Sequence, residues 1–453
     1  MGDLMRRYIN LLEGKILPSL GALALPIMAA SLIQMAYNLT DMIWIGKIGS
    51  NAVASVGAAG MFMWFSNGMA TLAKMGGQIK VGQSLGSQDI LKGARYAQSS
   101  ILLCIILALT FSAISVVFAY PMIDFFKLND PQVAADARIY LIITCGLVIF
   151  SFLNQVYTGI FTAMGNSKTS FTATAIGLLL NIVLDPLLIF GLGPIPAMGV
   201  MGAAIATVFA QAVVTCVFLF ACRLDELLFP HIHLFSRPER SIMREIIMLG
   251  LPTALQSMLF SAISMVLARM IAGWGDGAIA VQKVGSQIES ISWMSAEGYA
   301  AALNSFIAQN YGARQMQRII KGFHISVAVL VGWGIFTSLL LIVFPQYIFQ
   351  IFISEADIIP MGIDYLRILG LSQAFMCLEY AAAGTFNGLG QTLPPSLVSV
   401  TLTAMRIPLA FALTPFLGLN GVWWAITISS FAKGISLFGW FTLRTRKKLA
   451  LHA

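Results

Sequence analysis

The sequence predicts an all-α membrane protein: twelve transmembrane helices in two six-helix lobes related by a parallel pseudo-two-fold repeat. Three observations predict it. Apolar residues make up 58% of the 453 and charged residues only 10%, with a mean hydropathy of +0.84; that much apolar surface requires the bilayer as its solvent. Twelve apolar segments follow one another, each near the roughly 20 residues a tilted helix needs to cross the hydrocarbon. The chain also repeats itself at an offset of about 225 residues, a period expected of a duplicated lobe rather than of a short solenoid unit. Leu25-Pro26, Ser31, Gly49, Ala52, Ser66, Gln83 and Gly86 return as Leu251-Pro252, Ser257, Gly275, Ala278, Ser292, Gln309 and Gly312. After small gaps Phe161, Gly165, Pro186 and Gly199-Val200 return as Phe386, Gly390, Pro408 and Gly421-Val422.

Taken in order, the predicted spans are about 17–45, 52–79, 93–120, 133–162, 169–190 and 199–222, then 244–271, 277–308, 320–344, 357–386, 394–415 and 421–443. The first six form an N-lobe over 1–222 and the second six a C-lobe over 244–453. The polar stretch 223–243 between them reads as a cytoplasmic interlobe linker. Six spans per repeat return the chain to the side it started from, so the halves share one orientation. Such a repeat points to a two-lobed transporter with its substrate site between the lobes.

Lys and Arg fix the orientation. Arg6, Arg7, Lys15, Lys80, Lys92, Arg95, Lys168, Arg237, Arg314, Arg318 and Arg446 to Lys448 fall on one side, against only Lys47, Lys127 and Arg138 on the other. Both termini are therefore expected in the cytoplasm and the chain in the inner membrane. The net charge of +8 follows this loop pattern, and no nucleic-acid partner is implied. Cys104, Cys145, Cys216, Cys222 and Cys377 have neither metal nor disulfide spacing, and the four histidines form no ligand set. No cofactor, no cleavable signal sequence and no partner beyond lipid and small solutes are expected; the chain reads as a monomer.

Ionisable groups inside a membrane are costly, about 2.5–3.5 kcal/mol at a helix centre on insertion scales, so each asks for an explanation. Asp41 lies two-thirds of the way along the first span, with Tyr37 one turn before it and Pro26 upstream. Pro26 removes a backbone donor and gives the helix a place to flex, which makes it the candidate hinge. The alternative for Asp41 is a hydrated position at the outer interface, marked by Trp44 and Lys47 just beyond. Asn181 and Asp185 share a face of the fifth span, and Pro186 disfavours regular helix at Asp185. Asn154 and Thr207 could converge on them, or could serve as hydrogen bonds between helices. Carboxyl oxygens out of water can carry a proton or bind Na⁺, and spacing does not choose between the two. In the second copy Leu267 and Ile407 stand where Asp41 and Asp185 stand in the first. That half carries Glu289, Glu297 and Glu379 beside Lys283, Arg367, Arg406 and Lys433 instead. Glu379 and Arg406 are expected to pair, as a structural ion pair or as a C-lobe ion site.

Thr40-Asp41-Met42-Ile43-Trp44-Ile45-Gly46, with Gly49 and Ala52-Val53-Ala54, resembles the first-helix signature of multidrug and toxic compound extrusion (MATE) transporters. Gln83-Ser84-Leu85-Gly86 and Gln309-Asn310-Tyr311-Gly312-Ala313 are similar to that family's paired motif after the second and eighth helices. The set Pro26, Tyr37, Asp41, Asn181 and Asp185 resembles the DinF-like branch, whose N-lobe cation site uses those residue types. The resemblance implies H⁺- or Na⁺-coupled antiport of amphipathic, often cationic, drug-like compounds, hence multidrug resistance, and a V-shaped two-lobed fold. A lipid-linked oligosaccharide flippase of related architecture is the alternative; it should show a strongly basic cavity. An intramembrane prenyltransferase would need a carboxylate cluster for Mg²⁺ and diphosphate, and no such cluster occurs in the sequence, so a transporter rather than an enzyme is expected.

Overall fold

The computed structural model describes residues 8–445 except 127, 129, 192–195, 234–237, 353, 354 and 356. Of the basic residues used above for orientation, Arg6, Arg7, Lys127, Arg237 and Arg446 to Lys448 lie outside the described residues. The described residues are helical and include no strand. The first six spans begin with α1 (Ile16–Ile48), α2 (Ser50–Gly86) and α3 (Ile90–Val117), which is followed by the short α4 (Ala119–Asp124). They continue with the pair α5 (Pro131–Gly146) and α6 (Ile149–Ala163), then α7 (Ser167–Phe190) and α8 (Gly199–Leu224). The second six repeat the layout: α9 (Arg240–Ala272), α10 (Asp276–Gly312), and α11 (Met316–Val343) with the short α12 (Pro345–Gln350). The pairs α13 (Ile359–Gly370) with α14 (Gln373–Gly388) and α15 (Leu393–Ala404) with α16 (Arg406–Leu417) follow, and α17 (Asn420–Trp440) ends the set. Among the described residues eight helices are long and apolar enough to cross a membrane, and α5 with α6 makes a ninth. The more polar α2, α10 and α13–α14 complete the twelve.

Local chemistry explains the joints. Asp89 caps α3 by accepting from the Lys92 N–H at 3.0 Å, and Asn166 caps α7 by accepting from the Thr169 N–H at 3.2 Å, each satisfying a donor that the first turn leaves open. Gly49 (φ 140°) and Gly275 (φ 96°) turn the chain between the first two spans of each half, a backbone region that a Cβ disfavours. Two spans are broken at matching places. The fourth bends by 43° between α5 and α6, and the tenth breaks between α13 and α14. In both a serine one span earlier satisfies the carbonyl freed at the break: Ser112 Oγ donates to the Gly146 carbonyl and Ser338 Oγ to that of Gly370 at 2.7 Å. Neither break was expected, because the apolar pattern runs straight through them. Pro186 corrects another expectation: α7 continues as helix through Asp185 and Pro186, giving up one backbone bond rather than its regularity.

The chain forms two compact units, residues 1–9 with 29–254 and residues 10–28 with 255–453. These follow a different line from the sequence repeat, and close packing gives the reason. In the first unit the start of α9 lies against α2, where a Cβ on Gly250 would come within 1.9 Å of the Leu72 carbonyl oxygen. Lys80 Nζ reaches Glu245 at 2.6 Å, and the Tyr96 hydroxyl donates to the same carboxylate at 2.7 Å. In the second unit Gly298 packs on the Met28 backbone of α1, with 3.1 Å left for a Cβ. Gly250→Ala is expected to destabilise the protein by about 1–3 kcal/mol through overpacking. Thermal unfolding in detergent measures this, and an unchanged melting temperature would contradict the close α2–α9 approach.

Candidate cation site in the first unit

Four helices of the first unit bring polar side chains to one place. α1 supplies Tyr37 and Asp41, α7 supplies Asn181 and Asp185, α5 supplies Tyr140 and α8 supplies Thr207. Asp185 is 1% exposed and Asn181 3%. Asn181 Nδ2 donates to Asp185 Oδ1 at 2.6 Å, the (i, i+4) contact that their spacing on one helix face predicts. The Asp41 and Asp185 carboxyl groups lie close to each other, although far apart in sequence. Asp41 Oδ1 and Asp185 Oδ2 are buried and have no hydrogen-bond partner among the described residues. Thr207, whose hydroxyl donates to the Ala203 carbonyl at 3.0 Å, lies beside both Tyr37 and Tyr140.

Electrostatics defines what this arrangement can do. Two ionised carboxylates at such range repel strongly where water is scarce, so a proton between them or a bound cation is needed to relieve them. Among the described residues no Lys or Arg is ion-paired with either acid. Lys47, on the same helix, sits instead over the Trp44 ring at 4.4 Å. Trp44 in turn packs edge-on against Phe190 at 6.2 Å, joining α1 and α7 just beyond the acids. Asp41 thus faces a protein partner, which is more than a hydrated interfacial position would give it.

Of the residues named from the sequence, Tyr37, Asp41, Asn181, Asp185 and Thr207 come together and Asn154 does not. Asn154 Nδ2 donates to the Gln211 carbonyl at 2.9 Å and to its Oε1 at 2.8 Å, and Asn154 Oδ1 accepts from Thr215 at 2.8 Å. All of this polarity ties α6 to α8, the interhelical alternative. Pro26 belongs to the second unit, shortly before the point where α1 passes into the first at Ala29. Tyr140 was missed. The repeat carried a signal for it, because Tyr140 and Tyr365 recur at the same offset as Phe161 with Phe386 and Gly165 with Gly390.

The expected Glu379–Arg406 pair is not formed. Glu379 pairs instead with Lys433 Nζ at 2.9 Å and accepts from Ser399 Oγ at 2.5 Å. The reason is helix packing: α14 lies directly against α17, which carries Lys433. Arg406 turns to Ser429, whose Oγ accepts from Nε at 3.0 Å, and to Ser430, whose Oγ accepts from Nη2 at 3.4 Å.

The same duplication is visible to comparison with known proteins. The MatE family model matches residues 26–187 and again 252–412. The chain belongs to the MatE family. MatE-family proteins are transporters, and this member is accordingly a membrane transporter rather than an enzyme. It is 27% identical to the probable multidrug resistance protein NorM of Thermotoga maritima, over 88% of this chain and 87% of that one. It is also 22% identical to the FAD transporter of Shewanella oneidensis, over 92% of each. Among solved structures it resembles an outward-facing multidrug resistance MATE transporter of the MOP superfamily, with a TM-score of 0.91 at 23% identity over 98% of this chain and 99% of that one. That likeness concerns the fold.

Proposed function

We propose that this MatE-family member is an H⁺- or Na⁺-coupled antiporter of the DinF-like type that exports amphipathic, drug-like compounds from the cytoplasm. The observation that carries the reading is the close approach of Asp41, which is partly buried, to the buried Asp185, with no basic partner for either among the described residues. A coupling site must exchange a cation in each cycle, and a carboxyl pair does this by alternating between a loaded form and an empty, self-repelling one. Asn181 holds Asp185 in place, while Tyr37, Tyr140 and Thr207 offer hydroxyl oxygens beside the acids. Pro26 serves as the hinge at which the first span bends when the site changes charge. The positive-inside pattern supports an inner-membrane location with both termini cytoplasmic. Relatives named for multidrug resistance support drug-like substrates, with FAD, the named solute of one relative, as a further candidate.

The driving force is sufficient. One charge moving through about 100 mV supplies roughly 2.3 kcal/mol, equivalent to about a fifty-fold gradient of substrate. The test is transport in proteoliposomes with pH and Na⁺ gradients imposed separately. Uptake of an amphipathic cation such as ethidium into inverted vesicles should follow one of the two gradients and stop when that gradient is collapsed. Equal uptake with neither gradient would overturn coupling.

A further inference from the structure

The second unit buries a different chemistry in the place that corresponds to the acid site of the first. Arg406 lies near the middle of the span Leu393–Leu417 and is 7% exposed. By the sequence repeat it falls one residue from the counterpart of Asp185, and Ser429 is the counterpart of Thr207. A guanidinium at this depth ordinarily pairs with an acid or marks a ligand path. Of the two acids near it, Glu379 is held by Lys433 and Ser399, while Glu289, whose buried Oε1 has no hydrogen-bond partner, lies within electrostatic range of Arg406 without forming an ion pair. Arg406 forms no ion pair among the described residues. Its Nε and Nη2 are propped by the Ser429 and Ser430 hydroxyls, neutral groups that orient the fork without cancelling its charge. Nη1 makes no hydrogen bond among the described residues. The Phe260 ring stands 6.0 Å from the guanidinium carbon and is itself 45% exposed.

We infer that the second unit contains an oxyanion site in which Arg406, oriented by Ser429 and Ser430, binds the carboxylate or phosphate of an amphipathic ligand whose apolar part rests near Phe260. The planar guanidinium suits oxyanions, and removal from water strengthens the pairing. Lys433 adds positive charge nearby and is itself paired with Glu379, so among the described residues no acid is ion-paired with Arg406. Two sources offer this chemistry, a dissolved organic anion and the headgroup of an anionic phospholipid.

The test is equilibrium binding to the full-length protein in nanodiscs of phosphatidylcholine, with dansylglycine as probe and dansylglycinamide as its uncharged counterpart. The wild type should prefer the carboxylate by about ten- to a hundredfold, the range of a hydrogen-bonded charge. Arg406→Gln should erase that preference and Arg406→Lys keep part of it, with Tm reporting folding. If Arg406→Gln does not fold, the double substitution Ser429→Ala with Ser430→Ala decides, because it leaves the charge but frees the fork and should reduce the preference several-fold. Competition by phosphatidylglycerol added to the nanodiscs assigns the site to lipid headgroups, and its absence assigns it to dissolved solutes. Equal affinity for the two probes in wild type, or an unchanged preference in a folded Arg406→Gln protein or in the double serine variant, overturns the inference.

Discussion

Asp41→Asn is expected to reduce coupled efflux to the level of empty vesicles while leaving the chain folded. The amide keeps the size of the carboxyl group and its place close to Asp185 but cannot gain or lose a proton. It also removes one of the two charges that repel when the site is empty, so the site no longer has two energetically distinct states to alternate between. The native acid is costly at this depth, and replacing it should leave the melting temperature unchanged or raise it. Drug efflux and thermal unfolding measured on the same preparation separate loss of coupling from loss of fold. Wild-type efflux from a normally expressed Asp41→Asn protein would remove Asp41 from the coupling site, whatever the role of Asp185.

The second large effect concerns stability. Glu379 and Lys433 are buried together at 2.9 Å, and neutralising one leaves the other charge without a partner. Glu379→Gln and Lys433→Met are each expected to destabilise the protein by about 3–5 kcal/mol, the range for breaking a buried pair from one side. The double variant should recover most of that loss, since burying two neutral groups needs no mutual compensation. Glu379→Gln keeps a hydrogen-bond partner for Ser399, so the loss reports the charge rather than a vacated space. Additive losses in the double-mutant cycle would mean that the two groups act independently. The same cycle run on Glu379 and Arg406 should show a smaller coupling, because those side chains interact through space without forming an ion pair.

Much of the fold is a property of the linear chain. Hydropathy measures whether a segment is long and apolar enough to cross the bilayer, and it located all twelve spans to within a few residues at most ends. The repeat exposed the duplication and its asymmetry, with acids at Asp41 and Asp185 in one copy and Leu267 and Ile407 in the other. Spacing within one helix was equally legible: Asn181 and Asp185 lie one turn apart, and they bond.

What the tertiary structure alone decided is which polar groups meet. Hydropathy carries span length but not the rotation of a helix about its axis. A bend such as the 43° break between α5 and α6 re-aims the side chains of one span independently before and after it. Tyr140, before that break, is thereby brought to the acids, while Asn154, after it, is turned to Gln211 and Thr215. In the second unit Glu379 had two cations to choose from, Arg406 and Lys433, and helix packing favoured Lys433. Because the strength of a buried ion pair falls steeply with distance and geometry, ångström-level packing determines which residues become partners. The sequence by itself determined the membrane class, the twelve spans, the duplication and the residues able to carry charge. Only the packing of those spans brought Asp41 and Asp185 together and left Arg406 without an ion-paired acid.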